Sequence, residues 1–87
     1  MVEGSVMSRI IDGSRCNLVG EKVKKYRKER GMSQKELSEK LETLAVYICR
    51  GSVSRIEDGS RTITDIELYG LANVLGVSVE ALFPDKE

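Results

Sequence analysis

The chain of 87 residues contains no histidine and no tryptophan. Without histidine it lacks the commonest general base and the commonest metal ligand. Its two cysteines, Cys16 and Cys49, form no CxxC pair and have no histidine beside them to complete a metal site. The first twenty residues hold no long apolar run, so the sequence shows neither a signal peptide nor a membrane span. Reduced thiols and a cytoplasmic location are therefore expected. No nucleophile–base pair or paired-carboxylate site stands out, so no enzyme, cofactor or metal is expected. Net charge is also absent: 14 Lys/Arg balance 14 Asp/Glu. Taken alone, that balance argues against a nucleic-acid partner.

The balance hides a pattern. Residues 20–62 carry 11 Lys/Arg and 7 Asp/Glu, a net +4, whereas residues 63–87 carry one Lys and 5 acids, a net −4. A basic middle and an acidic end give a one-sided field, which matters more for phosphate binding than the total does. Ordinary solvated helix faces would give the same count.

The length allows one small domain with a modest core. Residues 1–18 show no sustained periodicity and read as a loose arm, in which Met7 offers an alternative start. Residues 20–30 read as a first helix, with Val23 and Tyr26 inward and Gly31 as its stop. Ser33 opens a second helix through the capping box SQKE, and Leu37, Leu41 and Leu44 form its apolar stripe. The apolar stretch 45–48 closes over the core. Residues 50–58 form a short third helix with Cys49 at the N-cap and Gly59 as the stop. Val53 and Ile56 face inward; Arg50, Ser52, Ser54 and Arg55 face outward. Thr64 or Asp65 caps a fourth helix carrying Ile66, Leu68, Leu71, Ala72 and Leu75, ended by Gly76. Ser78 caps a fifth over 79–83, with Pro84 beyond it. The expected fold is all-α, with five helices.

Two short helices joined by a connection, with small and hydrogen-bonding residues opening the second, make the helix-turn-helix pattern. The N-terminal turn of a reading helix enters the major groove. Arg50, Gly51 and Ser52 lie at that turn, and Arg55 shares the face one turn on. A guanidinium can bond both acceptors of a guanine edge, and glycine lets the backbone come close. Helix N-termini bind phosphate through free amides. Ser33 and Gln34 stand at one such terminus, and Arg61 and Thr62 follow another helix.

From residue 20 to 83, about three-quarters of the chain, the sequence resembles the XRE-type (Cro/C1 repressor-like) helix-turn-helix proteins. The matching stretches are KKYRKERGMSQKELSEKL, SVSRIEDGSR and TDIELYGLANVLGVSVEALF. The resemblance implies a lambda-repressor-like domain over 19–84, between the arm and a tail at 85–87, binding double-stranded operator DNA as a homodimer. Carried over by position, Gln34 would touch phosphate and support the reading helix. Arg50, Gly51, Ser52, Ser54 and Arg55 would face bases or nearby phosphates, as would Ser33, Arg61 and Thr62 at the backbone. Arg27 and Glu57 match a buried pair tying helix one to helix three. Twelve residues separate Leu41 from SRIE, more than the commonest form has. The extra LETLAVYIC stretch resembles a subgroup with a lengthened turn.

One phrase occurs twice: SRIIDGSR at 8–15 and SRIEDGSR at 54–61. Only the second has a capped helix before it, and only it carries the acid, Glu57, that would pair with Arg27. The first is read as an echo: a small duplication, a mis-assigned start or a flexible arm. Cys49, at a helix N-terminus, is expected to have a lowered pKa. The plainer role for it is to stand in for a capping serine. Tyr26, Tyr47, Tyr69 and Phe83 are read as core or dimer contacts, with the dimer surface near Leu82 and Phe83. Two functions follow: a nucleoid-associated transcriptional regulator, expected to repress, or an antitoxin-like or adaptor module that binds a protein.

Overall fold

Local capping chemistry sets where each helix begins and ends. In the computed structural model, which describes residues 14–85, α1 spans Gly20–Glu29, α2 Gln34–Glu42, α3 Arg50–Glu57 and α4 Asp65–Leu75. Ser33 closes a capping box on α2: its hydroxyl accepts from the Glu36 amide at 3.0 Å and the Glu36 carboxylate accepts from the Ser33 amide at 2.8 Å. Thr64 and Glu67 repeat the device on α4. The glycine stops at 31, 59 and 76 all take left-handed φ.

The fifth helix is shorter than the sequence suggests. It is a single 3-10 turn, Glu80–Leu82, held by Leu82 N–H to Val79 C=O and Phe83 N–H to Glu80 C=O. Pro84 cannot continue a helix and drives Phe83 into an extended conformation, φ −84° and ψ 157°. No strand forms among the described residues.

The core gathers Val23 of α1, Leu37 and Leu41 of α2, Val53 and Ile56 of α3, and Leu71 and Leu75 of α4, with Leu82 sealing one end. Val46 and Ile48 from the α2–α3 connector are buried with them, as their apolar run suggests. Ser38 Oγ donates to the Ile48 carbonyl at 2.7 Å and pins that connector. Val46 lies over Gly70 of α4, where an added Cβ would stand 2.9 Å from Val46 Cγ2.

Two expected core positions and one expected surface position differ. α2 ends at Glu42, so Leu44 falls past the helical period and is exposed. Ile66, in the first turn of α4, points outward. Leu82 is wholly buried and so supplies no surface for a dimer contact; the exposed residue beside it is Phe83.

The loose arm does not run to residue 18. Cys16 N–H donates to Gly59 C=O at 2.8 Å, and the Asn17 side chain bonds both α1 and the far end of α3. Val19 is part of the core. The SRIIDGSR copy lies outside the described residues except for Ser14 and Arg15.

Candidate nucleic-acid interface

α3 is divided lengthwise. Helical geometry puts residues 52, 53, 56 and 57 on one side and 50, 51, 54 and 55 on the other. The first four are buried, whereas Arg50, Gly51 and Arg55 are exposed and Ser54 is half-buried. The Arg50 side chain has no hydrogen bond or ion pair to another described residue. A Cβ at Gly51 would meet only Arg55 Nη1, at 3.8 Å, so the backbone there is open to close approach.

Ser52 is a correction to the sequence reading. It sits on the buried side, where its hydroxyl accepts from Arg55 Nη2 at 3.0 Å and lies 3.4 Å from Cys49 Sγ. Its role here is to brace Arg55 and the start of α3. Cys49 occupies the N-cap position but makes no capping bond of the serine type. The Ser52 hydroxyl is the chief cause that holds the exposed Cys49 thiol below the ordinary cysteine range, with a smaller contribution from Arg55.

The buried side of α3 is fixed by an ion pair. Arg27 Nε donates to Glu57 Oε2 at 2.6 Å and Arg27 Nη2 to Glu57 Oε1 at 3.0 Å. Arg27 Nη1 donates to the Met32 carbonyl at 2.8 Å, and Gln34 Nε2 donates to Glu57 Oε1 at 3.1 Å. The Arg27–Glu57 pair thus ties α1, the α1–α2 turn and the first residue of α2 to α3. Donation to the Glu57 carboxylate raises the pKa of Arg27 further, against the lowering effect of burial. Gln34 therefore supports α3 directly.

The backbone-facing candidates are arranged unevenly. The Ser33 hydroxyl is used by its capping box, while the Gln34 and Lys35 amides beside it have no carbonyl within the helix to bond. Thr62 is exposed. Arg61, expected at the DNA backbone, has its guanidinium engaged: Nη1 and Nη2 grip Glu67 Oε1 and Oε2 at 3.0 and 3.1 Å, and Nη1 also reaches the Thr62 carbonyl. Bonding to Arg61 holds the Glu67 carboxyl below its ordinary value.

Among the described residues no group of three or more His, Cys, Asp or Glu could hold a metal ion, and no helix is long and apolar enough to cross a membrane.

A helix-turn-helix family model matches residues 23–82. The chain belongs to the XRE-type (Cro/C1) helix-turn-helix family. Among solved structures it is similar to SinR, described as the master regulator for biofilm formation and solved in complex with DNA. The TM-score is 0.64 at 35% identity, over 74% of this chain and 95% of that one. The restriction-modification controller protein C.AhdI from Aeromonas hydrophila gives a TM-score of 0.60 at 29% identity, over 76% of this chain and 96% of that one. Hydroxypropylphosphonic acid epoxidase from S. wedmorenis gives 0.68 at 26% identity, over 84% of this chain but only 36% of the enzyme. No curated protein sequence matches. The matched residues include α2 and α3, and the outer face of α3 carries the exposed Arg50, Gly51 and Arg55.

Proposed function

We propose that this protein is a sequence-specific transcriptional regulator that binds a two-fold symmetric DNA operator as a homodimer and represses from it. The observation that carries the reading is the division of α3. Its inner face is locked through Glu57, Val53 and Ile56, and its outer face presents Arg50, Gly51, Ser54 and Arg55 to solvent. A rigid helix with hydrogen-bonding side chains at its open N-terminal turn is what major-groove reading needs. Arg50 and Arg55 bond guanine edges or adjacent phosphates, and Ser54 supplies a short donor and acceptor. The α2 N-terminus at Ser33 and Gln34 and the connector at Arg61 and Thr62 flank α3 as phosphate contacts. DNA phosphate competes with Glu67 for the Arg61 guanidinium. The net +4 of residues 20–62 supports an electropositive binding side. SinR's complex with DNA supports the partner class. A second copy has apolar surface available in Ile66, Tyr69 and Phe83. This reading places the protein in the cytoplasm, on the nucleoid.

That same apolar surface favours one alternative, an antitoxin-like or adaptor module whose partner is another protein. Duplex selection from a random DNA pool separates the two. The regulator reading expects a symmetric enriched motif. Binding to it weakens with salt and drops on the order of a hundredfold in the Arg50→Ala/Arg55→Ala variant, since each such contact contributes about 1–3 kcal/mol. A folded wild-type protein that enriches no duplex leaves the interaction-module reading.

A further inference from the structure

We infer that Asn17 is a positioning residue for DNA binding, one that sets the connector between α3 and α4 in place to meet phosphate; this rests on the DNA-binding reading above. The Asn17 carboxamide uses its full bonding capacity. Oδ1 accepts from the Val19 amide at 3.0 Å and the Gly20 amide at 2.7 Å. Nδ2 donates to the Ile56 carbonyl at 3.1 Å and the Arg61 carbonyl at 2.8 Å. Two amides on one side and two carbonyls on the other fix which end is oxygen and which is nitrogen. One side chain therefore joins the start of α1, the last turn of α3 and the connector that follows.

Its surroundings depend on this junction. Gly20 packs so closely on α3 that an added Cβ would stand 2.1 Å from the Ile56 carbonyl, the same oxygen Asn17 bonds. The adjacent residue adds the Cys16 N–H to Gly59 C=O bond at 2.8 Å. Arg61 is thus held at two points, its carbonyl by Asn17 and its guanidinium by Glu67. Thr62, the next residue, is exposed. Asn17 lies before residues 23–82, which the helix-turn-helix model matches, so that match assigns it no role.

The two halves of the carboxamide can be separated by substitution. Asn17→Asp keeps an acceptor for the Val19 and Gly20 amides, and its charge suits a helix N-terminus. It removes both donations and turns an oxygen toward two carbonyls, so it cuts only the α3–connector half. Asn17→Ser keeps a capping hydroxyl without that repulsion and carries the test if the aspartate variant does not fold. The measurement is affinity for the selected duplex against salt concentration, at a temperature where circular dichroism shows wild type and variant fully folded. The expected result is binding about tenfold weaker, a salt slope shallower by about one phosphate contact, and an unchanged enriched motif. Wild-type affinity and slope in a folded variant would show that Asn17 is only structural and would overturn the inference. Absence of salt-dependent binding by the wild type would instead overturn the DNA-binding reading, and this inference with it.

Discussion

Arg27 on α1 and Glu57 on α3 form a buried, two-bonded ion pair, 2.6 Å at its shorter contact. The carboxylate that Arg27 neutralises also accepts from Gln34, so the pair positions three segments at once. Removing one partner of such a pair leaves a buried charge and costs about 3–5 kcal/mol. That is comparable to the whole stability of many small domains, about 5 kcal/mol at the low end. Glu57→Ala and Arg27→Ala are each expected to lose cooperative urea unfolding at 25 °C. The joint Arg27→Met/Glu57→Leu replacement is expected to recover most of it. A cooperative, near-native transition in either single variant would contradict this account.

Ala45 has φ +62°, a left-handed conformation in a residue with a Cβ. It closes α2: the Ala45 amide donates to Glu42 C=O and the Val46 amide to Leu41 C=O, the paired bonds of a Schellman ending. Glycine adopts this conformation without the steric cost, partly offset by its freer unfolded chain. Ala45→Gly is expected to stabilise by about 0.5–1 kcal/mol, a rise of a few degrees in melting temperature. Unchanged or lower stability would count against strain at this position.

Acid should weaken the connector. Because its Arg61 partner depresses the folded pKa of Glu67, the stability this carboxylate adds is present above the ordinary glutamate range. As pH falls through that range toward the lower folded value, the contribution is lost. Glu67→Gln is expected to flatten the acid limb of the stability–pH curve, and also to lower stability near neutral pH by about 1–2 kcal/mol through the weakened pair with Arg61. Parallel acid limbs for variant and wild type would show that other carboxylates dominate.

The Cys49 thiol should answer to Ser52. Its pKa is lowered chiefly by the Ser52 hydroxyl, so Ser52→Ala is expected to raise it. In a Cys16→Ser background, the pH profile of alkylation by iodoacetamide should move to higher pH, with slower reaction at neutral pH. Superimposable profiles would exclude the hydroxyl as the cause.

What could be read from the sequence is what local chemistry decides. Ser33 with Glu36 and Thr64 with Glu67 announce their helices within four residues, and the glycine stops need only their neighbours. Pairing over longer separations was legible where the family resemblance supplied it, as for Arg27 and Glu57. Asn17 was not: its partners lie 39 and 44 residues away, and an asparagine in a polar stretch looks like any loop residue. Arg61 reads as a phosphate contact, and its grip on Glu67 emerges only once α4 packs against the connector. Ser52 was misplaced because its neighbours Gly51 and Arg55 are exposed, although 100° per residue turns it toward Val53 and Ile56. Leu44 continued a helical period that stops at Glu42.

The lengthwise division of α3 also separates two kinds of constraint on change. Val53, Ile56 and Glu57 answer to the scaffold, whereas Arg50, Gly51 and Ser54 make no side-chain bonds to it. Only Arg55, through Ser52, touches both accounts. Substitutions along the outer edge can therefore accumulate without unfolding the domain, and one framework can acquire successive target preferences by drift. Gly20 stands at the opposite extreme: any side chain there meets the Ile56 carbonyl, so that position is closed to variation whatever the protein reads.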